Sequence, residues 1–96
     1  MNVVVKKYVV RDREFTIVKH EDMYCAIENK YIDKDGRLTE KLNGLQMNAS
    51  EDLRQCLRLT KDAVDTDYYR AQGLSDAEIY SKITGTPLEK CELLFA

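Results

Sequence analysis

Between Ser50 and Gln72 runs SEDLRQCLRLTKDAVDTDYYRAQ, whose apolar residues recur at intervals of three and four. Leu53, Cys56, Leu57, Thr60, Ala63, Val64, Tyr68 and Ala71 fall on one stripe of a helix, while Glu51, Asp52, Arg54, Arg58, Lys61, Asp62 and Asp65 face away. A helix of that length spans roughly 34 Å, enough to cross a small sheet from edge to edge. Such a stripe needs a second layer to cover it, and the residues before it supply one.

Residues 2–10, NVVVKKYVV, are β-branched and aromatic and read as a strand. After the polar break Arg11-Asp12-Arg13, the stretch 14–20 alternates, with Phe15 and Ile17 on one side and Thr16, Val18 and His20 on the other. Glu21-Asp22 is short enough for a hairpin turn, and 23–32 continues the pattern with Met23, Cys25 and Ile27 as the inward set. Three strands joined by tight turns make an antiparallel meander. Asp33-Lys34-Asp35-Gly36 is the strongest turn signal. Beyond it Leu38, Leu42, Leu45 and Met47 fit either a fourth strand or an anchored loop, with a second turn signal at Asn43-Gly44.

The long helix is capped by Ser50, or by Asn48 with Glu51 three residues on, and Gly73 ends it. Ser75 and Glu78 form a second capping box that opens a short helix over 76–84, closed by Gly85 and Pro87. Leu74, Ile79, Tyr80 and Ile83 give that helix an apolar side. Leu88, Cys91, Leu93, Leu94 and Phe95 carry too much apolar weight for a solvated tail, and must pack as a strand, a helical turn or a subunit contact. The expectation is an α+β fold, a single domain over 1–96. It has a three- to four-stranded antiparallel meander, one long helix packed across one face and a short second helix.

Ninety-six residues hold one core, and 33% charged against 44% hydrophobic residues describe a globular surface rather than a disordered chain. The net charge of −2 and pI near 5.4 argue against non-specific nucleic-acid binding. The acidity lies in residues 48–96, with nine Asp/Glu against six Lys/Arg. MNVVVKKYVV has its charges after a short apolar run, the reverse of a secretory leader, and no stretch reaches membrane-span length. Three widely spaced cysteines, Cys25, Cys56 and Cys91, read as buried free thiols in a reducing cytoplasm.

The chemistry-bearing patterns are thin. Setting Gly36 at the sixth position of a calcium loop puts Tyr31 first and Leu42 twelfth, and neither can bind the ion. Asn48-Ala49-Ser50 matches a glycosylation triplet, but helix capping accounts for its polar residues. His20 is the one histidine, and no two Cys or His share zinc-ligand spacing. The cysteines occupy apolar contexts that make poor nucleophiles. No catalytic residue, metal or cofactor is expected, and an enzyme is the third-ranked reading. Two polar residues, Thr60 and Asp67, fall within the helical stripe. A buried carboxylate at Asp67 would need hydrogen bonds, either to pin the 38–47 segment or to serve as a functional acid.

Two surfaces remain. One helix layer covers one sheet face, so Val18, Tyr24, Ala26 and His20 would lie on the other and, with Phe95 of the tail, offer a partner or homodimer surface. Arg54, Arg58, Lys61 and Tyr69 line a basic and aromatic helix face that suits nucleic acid. Interleaved Asp62 and Asp65 make ordinary ion pairing its better reading.

YIDKDGRLTEKLNGLQM followed by the helix and AQGLSDAEIYSKITG resembles small uncharacterised proteins of Gram-positive gut bacteria and their mobile elements, over about Phe15 to Gly85. The resemblance implies a bacterial, cytoplasmic, accessory role and supplies no site residues. The preferred function is a non-catalytic interaction or regulatory module acting through protein–protein contacts. A nucleic-acid-associated accessory protein is the alternative.

Overall fold

A computed structural model describes residues 2–35 and 47–96. The β-branched and aromatic stretches form β1 (Asn2–Val10), β2 (Arg13–His20) and β3 (Met23–Glu28), and β4 (Met47–Ser50) completes the sheet. The order is β1-β2-β3-β4 and every pairing is antiparallel. Three helices follow: α1 (Leu53–Ala71), α2 (Asp76–Thr84) and α3 (Leu88–Leu94). The class is α+β, and the apolar tail supplies a third helix. Gly36, Leu38, Leu42, Asn43, Gly44 and Leu45 lie outside the described residues. The chain divides into two compact units, Met1–Lys61 and Asp62–Ala96, with the boundary inside α1.

In the first unit, two-residue loops, Arg11-Asp12 and Glu21-Asp22, join the three long strands. Arg11 and Glu21 both have φ of 55°, the left-handed value that the first central position of a primed hairpin turn requires. A two-residue loop also fixes register. His20 pairs with Met23, so Ile17 stands opposite Ala26, and Thr16 opposite Ile27. Directly opposed residues share a face. Phe15 and Ile17 therefore share a face with Tyr24 and Ala26, not with Cys25 and Ile27 as expected. Thr16, Val18 and His20 share theirs with Met23, Cys25 and Ile27.

Both faces are covered at the sheet centre, which corrects the expectation of one open side. Phe15, Ile17 and Ala26 are buried on one face, Thr16 and Ile27 on the other. The hydroxyl of Thr16 donates to Asn29 Oδ1 at 2.7 Å and accepts from Lys7 Nζ at 3.2 Å, so its burial leaves no polar atom unpaired. Asn29 opens a 3-10 turn, Asn29–Tyr31, which ends β3 four residues earlier than its apolar pattern suggests.

Asp52 caps α1, its Oδ1 accepting from the Arg54 amide at 2.8 Å and the Gln55 amide at 3.4 Å. Asn48 and Ser50 belong to β4 instead, and Ser50 Oγ accepts from the Asp52 amide at 3.1 Å. Fully buried Cys56 donates to the Asn48 carbonyl at 3.5 Å, and the Ala26 backbone also reaches its sulfur, tying the first turns of α1 to β3 and β4.

In the second unit, local signals set every boundary. Gly73 takes φ of 88°, with its amide on the Arg70 carbonyl and the Leu74 amide on that of Tyr69, a Schellman end to α1. The Ser75–Glu78 capping box opens α2 and left-handed Gly85 closes it. Thr86 and Pro87 turn the chain into α3, where Cys91 is fully buried and its Sγ lies 3.7 Å from the Thr86 carbonyl.

Candidate functional site

The second unit contains a cleft of about 450 Å³ walled by α1, α2 and the residue that follows α3. From α1 come Asp62, Thr66 and Arg70, spaced four apart and hence stacked along one side. Opposite them, α2 contributes Ile79, Tyr80 and Ile83, and Phe95 closes one side from the end of α3. The Tyr80 and Phe95 rings meet edge to face, with centroids 5.9 Å apart. Arg70 Nη2 pairs with Asp76 Oδ1 at 3.4 Å, near the junction of α1 and α2. Asp62 stands two turns back along α1, about 12 Å away. Its backbone carbonyl accepts from Thr66 Oγ1 at 2.7 Å, and among the described residues no group pairs with its carboxylate.

Sequence reasoning found the apolar side of α2 but missed Asp62, Thr66 and Arg70. Polar residues at helical spacing read as solvated surface until a second helix makes them a wall. The expectation for Asp67 is corrected: it is exposed, and Asp65, assigned to the outer face, is buried at 8% exposure. The stripe Leu53, Cys56, Leu57 and Thr60 holds in the first unit, where Thr60 is fully buried with its hydroxyl on the Cys56 carbonyl at 2.8 Å. From Asp62 onward the covered side of α1 carries Val64 and Asp65 instead, so extending that stripe one heptad to Asp67 fails.

The nominated partner residues do not share one surface. Val18 and His20 lie on one sheet face and Tyr24 on the other, beneath the Lys19 ammonium 5.5 Å from its ring centroid. Phe95 belongs to the second unit. Arg54, Arg58 and Lys61 are exposed in the first unit, whereas half-buried Tyr69 belongs to the second. Its ring is engaged by Lys82, 5.6 Å from the centroid, and by the edge of Tyr68 at 5.5 Å, leaving it a poor platform for stacking a base.

The thiols are placed against nucleophilic chemistry. Cys56 and Cys91 are buried and Cys25 half-buried, all unpaired. Burial pushes the Cys25 and Cys56 thiols above their ordinary range, and the neighbouring Cys25, once ionised, would add to the push on Cys56. A reactive cysteine needs the opposite shift. Among the described residues, no three His, Cys, Asp or Glu side chains gather as a metal site would require, and no helix is long and apolar enough to cross a membrane.

β1 is an edge strand nine residues long, paired on one side by β2. Val3, Val4, Val5 and Val9 on it are between 40% and 61% exposed. The register slips between Val4 and Lys6, which makes Val5 a bulge.

No family model, curated protein or solved structure matches the chain.

Proposed function

We propose that this chain is a non-catalytic interaction module that acts through protein–protein contacts, an accessory role with β1 as its contacting strand and a second copy as the first partner to test. One observation carries the reading: a nine-residue edge strand with exposed Val3, Val4 and Val5 at its start. Among the described residues no strand lies on the outer side of β1, and an edge of that length templates another strand through its amides and carbonyls. Lys6, Lys7 and the bulge at Val5 are devices that restrict such pairing, which leaves the start of the strand as its least guarded part. An antiparallel pair centred on Val4 sets Val3 against Val5 and Lys6 against Asn2, so no lysine faces a lysine.

Light scattering at two concentrations about a hundredfold apart tests it, on the natural chain and on Val4→Lys, which puts like charges face to face at the centre. The expected result is a dimer mass for the natural chain at the higher concentration and a monomer mass for the variant. A monomer mass for both, with no slowing of β1 amide exchange on concentration, overturns self-pairing through β1.

A further inference from the structure

We propose that the cleft of the second unit receives an arginine side chain from a protein partner, with the guanidinium on Asp62 and its planar group against Tyr80 and Phe95. The cleft volume of about 450 Å³ falls within the range of pockets that take small ligands, so one side chain fits it. Its chemistry is divided along its length. At one end Arg70 and Asp76 neutralise each other at 3.4 Å. At the other, the Asp62 carboxylate has no partner among the described residues, and Thr66 beside it spends its hydroxyl proton on the Asp62 carbonyl. The guest's positive end is therefore drawn to Asp62 and repelled from Arg70.

The electrostatic surroundings favour the same guest. Residues 62–96 carry seven acidic side chains against three basic ones, so this unit attracts cations and repels phosphates and carboxylates. The aromatic wall decides between the two cationic side chains. Tyr80 and Phe95 are 40% and 51% exposed, so their rings remain open to a ligand. A guanidinium stacks on such rings and still presents a fork to a carboxylate, which an ammonium cannot do. The assignment deepens the reading of the chain as an interaction module, yet it rests on residues unrelated to β1, so the two fail separately.

The test is an NMR titration of the full chain with N-acetyl-arginine amide, repeated with N-acetyl-citrulline amide, which keeps the shape and loses the charge. Saturable shifts confined to amides around Thr66, Ile83 and Thr84 are expected, with Kd on the order of 1 mM for so small a probe. At least tenfold weaker binding is expected for citrulline and for Asp62→Asn, and also for Phe95→Ala. Asp62→Asn is isosteric and decides the matter should Phe95→Ala loosen α3. Citrulline binding as well as arginine, an undiminished Asp62→Asn response, or no saturable shift on the natural chain overturns the proposal.

Discussion

Across the β2–β3 ladder, Arg13 donates from Nε and Nη2 to the two carboxylate oxygens of Glu28, at 3.1 Å and 2.6 Å. The pair is a two-pronged clamp at the open end of the hairpin. Its carboxylate is well covered, at 13% exposure, and its guanidinium also lies 5.6 Å from the Phe15 ring centroid. Arg13 itself is about a third exposed, so solvent screens part of the attraction. A double-mutant cycle with Arg13→Ala and Glu28→Ala is expected to give a coupling of about 1 kcal/mol, above the usual surface pair because the geometry is bidentate. Arg13→Lys should recover little of it, since an ammonium cannot fill both prongs. Urea unfolding of the four proteins measures the coupling, and a value near zero would reduce the clamp to surface decoration.

Asp65 and Asp67 are two residues apart in α1 and should respond unequally to truncation. Asp65 is buried, and its removal strips a polar group from a covered position on α1. Asp65→Ala is expected to cost about 1–3 kcal/mol, the ordinary penalty for disrupting a buried polar group. Asp67→Ala, on the exposed side, should stay within about 0.5 kcal/mol of the natural chain. Thermal melts of both variants suffice, and equal losses would contradict the assignment of the buried side.

These two aspartates also show what was legible in the sequence. Features set by local chemistry were readable residue by residue: the Ser75–Glu78 box, the left-handed glycines at 73 and 85, and the three strands. Asp52 does not stand out as the cap in the sequence because Ser50 and Asn48 are equally good caps on paper, and only their pairing in β4 removes them. The sheet faces were readable in principle, because the two-residue Glu21-Asp22 loop fixes Ile17 against Ala26. Hydrophobic pattern alone cannot choose between them, because apolar residues occupy both parities of β3. Asp65 and the cleft residues Asp62, Thr66 and Arg70 were out of reach for a different reason. Their environment comes from residues outside α1, such as Ile79, Tyr80 and Phe95 around the cleft, and a helical wheel knows nothing of a neighbour.

Glu21 holds φ of 55° without being glycine, a conformation that costs a residue with a Cβ about 1 kcal/mol. The His20–Glu21 contact, 4.0 Å between groups 55% and 83% exposed, offsets little of that. Glu21→Gly should therefore stabilise the chain, by about 0.5 kcal/mol once the extra freedom of the unfolded glycine is deducted. Glu21→Val should destabilise it, because a β-branched residue tolerates the left-handed region worst. Chemical denaturation midpoints order the three proteins, and a Gly variant less stable than the natural one would mean that the turn is not strained.

The Glu78 carboxyl is held below its ordinary range, first by the Ser75 amide, which donates to its Oε1 at 3.0 Å, then by the Ser75 side chain, with Lys82 adding a smaller pull. A carboxyl whose folded-state pKa is depressed adds stability above its unfolded value. That contribution fades as pH falls through the folded one. The charge on Glu78 should therefore support the start of α2 at neutral pH and cease to do so in acid, below the normal carboxylate range. Glu78→Gln keeps an oxygen for the Ser75 amide and removes the titration. The expected result is a higher Tm for the natural chain at neutral pH, with the gap to Glu78→Gln closing as pH is lowered below about 4. Ser75→Ala, which takes away the hydroxyl that accepts from the Glu78 amide at 3.2 Å, should lower Tm at every pH. A gap between the natural chain and Glu78→Gln that stayed constant into acid would show that the carboxylate charge contributes nothing to the cap.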